Sequence, residues 1–121
     1  MKKIGEWAVS NNIYIIADDI YAKLVYNGNV FTSIVSLSDE IKQQTIVVNG
    51  VSKTYSMTGW RIGYALCQPE IVSQVSKVMS QSTGNPAAVS QYAAIEALSG
   101  SQAIVEEMRQ TFETRLNDIF P

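Results

Sequence analysis

Residues 13–19, which are most informative about the fold, read Ile13-Tyr14-Ile15-Ile16-Ala17-Asp18-Asp19. Its first five residues form a continuous apolar run, which is typical of a strand buried on both faces of a parallel sheet. The two aspartates then lie at the carboxyl end of that strand, the edge at which open α/β sheets collect their ligands. The stretch therefore predicts an α/β fold with a candidate site beside Asp18 and Asp19.

The flanking sequence continues the alternation of helices and strands. We expect two further strands over residues 45–49 and 62–67, a turn over 26–29 and an irregular segment over 31–37. Helices are expected over 4–8, from Ser38, from Pro69, from Asn85 as cap with Pro86 in the first turn, and over 104–119. Apolar residues are expected to form one stripe on the first long helix, the buried side of the second and a line along the last: these are, in order, Ile71, Val72, Val75, Val78 and Met79; Val89, Tyr92, Ala93 and Ala97; and Ile104, Met108, Phe112, Leu116 and Ile119.

The composition narrows the class of protein. The 121 residues are 46% hydrophobic and carry a net charge of −2, which indicates a globular chain and argues against nucleic acid as a partner. No apolar run reaches the roughly 20 residues of a membrane span, and the start lacks the apolar core of a secretory leader. With Cys67 as the single cysteine, we expect a cytoplasmic protein that does not act on membranes.

Histidine is absent from the chain. An intrachain disulfide is impossible, a structural zinc site lacks its usual ligands, and Ser-His-Asp and Cys-His catalysis are excluded within this chain. We therefore expect no metal site, and a lysine is the obvious candidate for proton transfer near neutral pH.

The candidate lysine follows the second strand, in the stretch Asn49-Gly50-Val51-Ser52-Lys53-Thr54-Tyr55-Ser56-Met57-Thr58-Gly59-Trp60-Arg61-Ile62-Gly63-Tyr64. Taken alone, such a lysine is most often a solvated surface charge. The whole arrangement, however, resembles the lysine region of the class I aminotransferases, the pyridoxal-phosphate enzymes of the aspartate aminotransferase fold. Ser52-Lys53 followed by Gly59, Arg61 and Gly63 matches that family's pattern, and Asp18 with Tyr21 resembles its Asp-x-x-Tyr element.

The resemblance implies a role for each of these residues. Lys53 would hold pyridoxal phosphate as a Schiff base and move the substrate proton, and Asp18 would face the pyridine nitrogen. Tyr21 would donate a hydrogen bond to the phenolic oxygen. Arg61 and Ser52 would bind the phosphate, although a further hydroxyl that the family often carries three residues before the lysine is replaced by Gly50.

Each role has a plainer alternative. The aspartates can be a strand-end charge cluster, of which only one member can face a given ring because neighbouring strand residues point to opposite sides. Tyr21 can be a packed aromatic and Arg61 a member of a surface ion pair. Gly59 and Gly63 are expected to form tight backbone turns around Arg61.

The resemblance also implies what the chain is part of. The family is much longer, so residues 1–121 would be the second half of its large cofactor-binding domain, without the N-terminal half and the small C-terminal domain. The fold would be a three-stranded mixed sheet packed by helices, with the third strand antiparallel. The segment 81–86 would approach a neighbouring subunit, as in a homodimer, and the isolated chain is expected to self-associate.

Three functions remain open at this point. The first is an aminotransferase acting on an amino acid and a 2-oxo acid, with an isolated chain that is inactive. The second is a carbon-sulfur β-lyase on the same scaffold. The third is a non-catalytic remnant that only self-associates.

Overall fold

The computed structural model describes residues 1–120, which divide into two compact units. The first unit contains Met1–Asp19, Thr32–Asn49 and Gly63–Pro86, and the second contains Ile20–Phe31, Gly50–Ile62 and residues 87–120. In chain order the elements are α1 Lys2–Ser10, β1 Ile15–Asp18, α2 Asp39–Gln43, β2 Thr45–Gly50, β3 Gly63–Leu66, α3 Pro69–Ser82, α4 Ala88–Ser99 and α5 Ala103–Ile119. Single 3₁₀ turns occupy Ile34–Ser36 and Thr58–Trp60.

The three strands form one mixed sheet in the order β1-β2-β3. Strands β1 and β2 are parallel, with Ile15 opposite Thr45 and Asp18 opposite Val48, so the mixed character comes from β3. The predicted α/β class and the three-stranded mixed sheet are confirmed. The predicted turn at 26–29 is also present, closed by the Asn29 N–H, which donates to Tyr26 O at 3.1 Å.

Strand β1 differs from its prediction in two respects. It begins at Ile15 rather than Ile13, because pairing starts where the Ile15 N–H donates to Gln44 O at 2.8 Å. The expectation that both faces are buried is wrong for the described residues: Ile15 and Ala17 are half-buried, while Ile16 on the other face is 73% exposed. An apolar run shows that both faces of a strand are suited to burial. Whether each face is buried depends on which elements pack against it.

Helices α1 and α2 pack closely in the first unit. A methyl group built on Gly5 of α1 would lie 2.5 Å from Cδ1 of Ile41, which is buried on α2, so the glycine permits this approach. Helix α2 begins where expected, because the Ser38 hydroxyl accepts from the Ile41 N–H at 3.3 Å. Ala8, Ile34 and Val47 complete the buried apolar part of this unit.

Helix α3 begins at Pro69, as predicted, but buries none of its residues. Its apolar stripe is largely uncovered within the described chain, where Val78 is 66% exposed. The other exposed members of the stripe are Val72, Val75 and Met79. The apolar spacing predicted the helix correctly. Whether the apolar side chains are covered depends on other parts of the protein, which this spacing does not describe.

The second unit corrects the prediction for α4. The helix begins at Ala88 and its flanking cap residue is Ala87, so Asn85 is not the cap and Pro86 precedes the helix. The buried residues are Ser90 and Ala94, whereas Val89 and Tyr92 are exposed. Apolar residues surround this helix on nearly every side, so the sequence favours no single face. The predicted end before Gly100 is confirmed.

Candidate active site

Lys53 lies on a compact turn of the second unit. The Val51 N–H donates to Ile62 O at 3.3 Å and closes the loop at its base, where Val51 is fully buried. Within the loop the Ser56 N–H donates to Lys53 O at 3.2 Å, and the neighbouring Thr54 is buried. These contacts fix the backbone that carries Lys53, whose side chain is half-buried. Ser52 precedes it and is also half-buried.

Tyr21 meets Lys53 in the same unit. Lys53 Nζ lies 5.8 Å from the centroid of the Tyr21 ring, a distance typical of a cation–π contact. The Tyr21 side chain is 57% exposed, so it is not the packed aromatic that was the plainer alternative. Its backbone is held by the Leu24 N–H, which donates to Tyr21 O at 2.9 Å. The structure therefore brings together two of the predicted site residues.

Arg61 carries an unusual backbone. It ends the 3₁₀ turn Thr58–Trp60 in the left-handed region, with φ 56° and ψ 45°, where arginine is uncommon. Its side chain is exposed, and Nη1 donates to Thr58 O at 3.0 Å. Gly59 lies within this 3₁₀ turn, which directly precedes Arg61, as expected, whereas Gly63 is the first residue of β3. The positive φ angles in this loop belong to Arg61 and Ser56 and not to the two glycines.

Asp18 and Asp19 are clearly distinguished in the first unit. Asp19 is half-buried; its Oδ2 accepts from the Ser33 hydroxyl at 2.6 Å, and its N–H donates to Val48 O at 2.9 Å. Asp18 is exposed at the end of β1. Asp19 is thus a structural residue of the strand end, which leaves Asp18 as the candidate for ligand binding. Its convergence with Lys53, Tyr21 and Arg61 stays a prediction.

Ser33, the hydrogen-bond partner of Asp19, was not predicted from the sequence. It lies 14 residues after Asp19 in a segment expected to be irregular, and it precedes the 3₁₀ turn Ile34–Ser36. No periodicity connects a strand end with a distant serine, so only the folded chain identifies this partner.

A charged cluster on α5 was also missed. Arg109 Nε and Nη2 donate to the two carboxylate oxygens of Glu106, each at 2.9 Å, and Arg109 Nη1 lies 3.2 Å from Glu113 Oε1. The Arg109 side chain lowers the pKa of Glu106 and has its own pKa raised in return, chiefly through these hydrogen bonds. The pKa of Glu113 is lowered first by the hydrogen bond from the Asn27 N–H and then by Arg109.

Neither a metal-binding group of side chains nor a membrane-spanning helix occurs among the described residues. Between residues 1 and 120, no three or more histidine, cysteine, aspartate or glutamate side chains are grouped so that they could hold a metal ion. No helix in the same range is long and apolar enough to cross a membrane.

The chain is similar to aminotransferases in sequence. The family model for aminotransferase class I and II matches residues 1–120. The chain is 60% identical over 121 residues to an asparagine–oxo-acid transaminase of Streptococcus mutans serotype c, and 54% identical over 121 residues to an aspartate aminotransferase of Bacillus sp. strain YM-2. All of this chain is covered in both cases, and it spans 31% of the length of each relative.

Solved structures show the same likeness. The aspartate aminotransferase of Rhizobium meliloti matches 91% of this chain with a TM-score of 0.86 and 39% identity, over 28% of its own length. That of Thermotoga maritima matches 96% of this chain with a TM-score of 0.85 and 40% identity, over 30% of its own length. Residues 1–120 thus carry the sequence and the fold of one family throughout, and the chain belongs to the class I and II aminotransferases.

Proposed function

We propose that this chain is part of a pyridoxal-phosphate-dependent aminotransferase, which moves an amino group between an amino acid and a 2-oxo acid. The observation that carries the proposal is the contact of Lys53 Nζ with the Tyr21 ring at 5.8 Å, in a chain of this family. The chain spans about a third of the length of its curated relatives, so the activity is proposed for the whole protein and residues 1–121 alone are proposed to be inactive.

The donor set of the second unit suits the cofactor. It offers an amine from Lys53, a phenol from Tyr21, a hydroxyl from Ser52 and a guanidinium from Arg61. A guanidinium can donate two parallel hydrogen bonds to a phosphate, which an ammonium group cannot. The left-handed backbone of Arg61 supports this role, because strained residues are concentrated at ligand-binding positions.

Each residue then has a defined task. When bound, pyridoxal phosphate supplies a sink for the electrons left on the substrate α-carbon after deprotonation. The Lys53 amine would hold the cofactor covalently and would carry the proton to and from the α-carbon. Tyr21 would donate to the phenolic oxygen and Asp18 would accept from the pyridine N–H, while Arg61 and Ser52 would bind the phosphate.

Substrate and reaction type follow from the named relatives. Because two close relatives are named for asparagine and aspartate, we propose one of these amino acids as the donor. Those names favour amino-group transfer over carbon-sulfur lysis. A non-catalytic remnant is disfavoured by the retained lysine, tyrosine and arginine.

The proposal extends to the setting of the whole protein. Residues 1–121 are proposed to be the second half of the large cofactor-binding domain. By resemblance to the class I and II aminotransferases, we propose that the whole protein forms a homodimer in the cytoplasm.

Covalent trapping tests the function. The whole protein is incubated with pyridoxal phosphate, reduced with borohydride and mapped by mass spectrometry. We expect one main adduct, on Lys53, which Lys53→Ala abolishes and Asp18→Ala weakens. The matched control is Lys23→Ala, which removes an exposed lysine of the same unit and should leave the adduct intact.

The same preparation is then assayed for transfer from aspartate or asparagine to a 2-oxo acid, and for thiol release from a sulfur-containing amino acid. Labels spread evenly over Lys2, Lys3, Lys42 and Lys77 would indicate general amine reactivity and contradict the cofactor site. Thiol release without transfer would make the protein a lyase.

A further inference from the structure

Helix α5 contacts both segments that carry the Lys53–Tyr21 pair. These segments, residues 20–31 and 50–62, belong with α5 to the second unit. The cation–π contact alone joins two flexible side chains and cannot define their separation. A more rigid element is needed to hold the backbone of the tyrosine segment and that of the lysine loop at a fixed separation. Helix α5 makes hydrogen bonds to both.

The tyrosine segment is held at several points. Arg109 Nη1 donates to Val25 O at 3.3 Å, four residues after Tyr21. Glu113 accepts from the Asn27 N–H. The side-chain amides of Asn27 and Asn117 donate to each other, at 3.1 and 3.0 Å.

The turn that receives these contacts is itself well defined. Tyr26 O accepts from both the N–H and the side-chain amide of Asn29, at 3.1 and 2.7 Å. Asn27 and Gly28 both have positive φ, of 57° and 72°, which directs the Asn27 N–H and side chain to the same helix. Tyr21 lies shortly before this turn in the chain, and the Leu24 N–H between them donates to Tyr21 O. A displacement of the turn should therefore also displace the backbone of Tyr21.

The lysine loop is held at the N-terminal end of the same helix, by its cap residue and by one residue within it. The Tyr55 hydroxyl hydrogen-bonds Gln102 Oε1 at 2.9 Å, directly before α5 begins. Ser56 Oγ lies 3.4 Å from the sulfur of Met108. Gln102 is in turn anchored by its side-chain amide, which donates to Ala97 O and Gly100 O at 3.0 and 2.9 Å.

We infer that α5 is a positioning element for the site: Arg109, Glu113 and Asn117 hold the tyrosine segment, Gln102 holds the lysine loop, and the helix between them sets the separation of Tyr21 and Lys53. None of these four residues is placed in contact with the reacting groups, so they are positioning residues. The inference rests on the proposed function, because Lys53 has to be the reactive amine for the separation to matter.

The experiment measures the rate of borohydride-trapped labelling of Lys53 in the whole protein, without turnover. Glu113→Gln keeps an acceptor for the Asn27 N–H but removes the charge beside Arg109, whereas Glu113→Ala removes both. We expect a graded decrease, with a loss of roughly tenfold for the alanine variant, since small displacements of a reacting group cost up to about 10²-fold. Glu107→Gln, an exposed position on the same helix, is the matched control and should label at the unaltered rate.

A second readout separates positioning from stability. The absorption band of the bound cofactor should shift in Glu113→Ala and in Tyr55→Phe, which release opposite ends of the arrangement, while both variants stay folded by circular dichroism. If Glu113→Ala fails to fold, Asn117→Ala tests the same end more mildly. Unchanged labelling and spectra in the folded variants would overturn the inference, whereas absence of Lys53 labelling in the unaltered protein would overturn the proposed function instead.

Discussion

Arg61 combines a costly backbone with an exposed side chain. A residue with a Cβ loses about 1 kcal/mol or more in the left-handed region, which glycine and, less readily, asparagine adopt most easily. The hydrogen bond from Arg61 Nη1 to Thr58 O offsets part of this cost, but it is exposed to solvent and contributes little net stability. Folding alone therefore does not explain an arginine at this position, whereas the proposed phosphate role would.

Replacing Arg61 should separate stability from cofactor binding. We expect Arg61→Gly to change the free energy of unfolding by less than about 1 kcal/mol, because relief of strain offsets the lost hydrogen bond. The same variant should bind pyridoxal phosphate much more weakly, and Arg61→Lys should fall between it and the unaltered protein. Urea unfolding without cofactor measures the free energy of unfolding, and equilibrium dialysis measures the affinity for pyridoxal phosphate. Equal cofactor affinity in all three proteins would remove the phosphate role.

The Asp19–Ser33 pair makes a different prediction at the same scale. A hydrogen bond to a half-buried carboxylate contributes about 1.5–3 kcal/mol, so Asp19→Ala and Ser33→Ala should each destabilise the first unit. The double variant should cost clearly less than the sum of the two, because both remove one interaction. Chemical unfolding of the four proteins measures this. Strict additivity would show that the two side chains do not interact in solution.

The order of helices and strands could be predicted because its signals are local. Pro69 begins α3, Ser38 caps α2 and Gly100 follows α4, each through a short-range effect of one residue on its own backbone. The buried face of α4 could not be predicted, since apolar residues surround it. The Lys53–Tyr21 contact was implied only by family resemblance, because no pattern in the chain connects residues 32 positions apart.

Gly100 limits how α4 can end. Its φ of −76° is open to any residue, but a methyl group on it would lie 2.6 Å from the carbonyl oxygen of Glu96. We therefore expect Gly100→Ala to destabilise the protein by about 1–3 kcal/mol through steric overlap with backbone. Gly59→Ala is the control, because a methyl group there meets nothing within 4 Å. Thermal unfolding of both variants tests this prediction, and equal melting temperatures for Gly100→Ala and Gly59→Ala would contradict the expected steric overlap.

The whole molecule should respond to acid through α5. The pKa values of Glu106 and Glu113 are lowered from their ordinary 4.5, so their interactions with Arg109 and Asn27 favour the folded state above that pH. This stability is lost as the pH falls through the lowered folded-state pKa values. Glu113→Gln should therefore be less stable than the unaltered protein near neutral pH, and the difference should shrink as the pH falls below 4.5 and through the lowered pKa of Glu113. Urea midpoints from pH 7 to pH 3 test this, with Glu107→Gln as the control; a difference that stays constant over the whole range would exclude the carboxylate as its cause.

The exposed stripe of α3 makes a prediction for the chain as a whole. Apolar surface of this kind favours association, so residues 1–121 in isolation should form dimers or larger species. Replacing Val75 and Val78 with glutamate should reduce the associated fraction, while Ser73→Glu on the same helix should not. Light scattering over a range of concentrations measures this, and monomers at every concentration would contradict it.

The left-handed backbone at residue 61 also predicts the outcome of a mutational scan. A library screened only for soluble expression should become enriched in glycine and asparagine there, the residues that adopt this conformation most readily. The same library selected for growth that depends on the enzyme should return arginine. The two selections should therefore favour different residues at position 61. The difference in the enrichment of arginine between them measures what Arg61 contributes beyond folding.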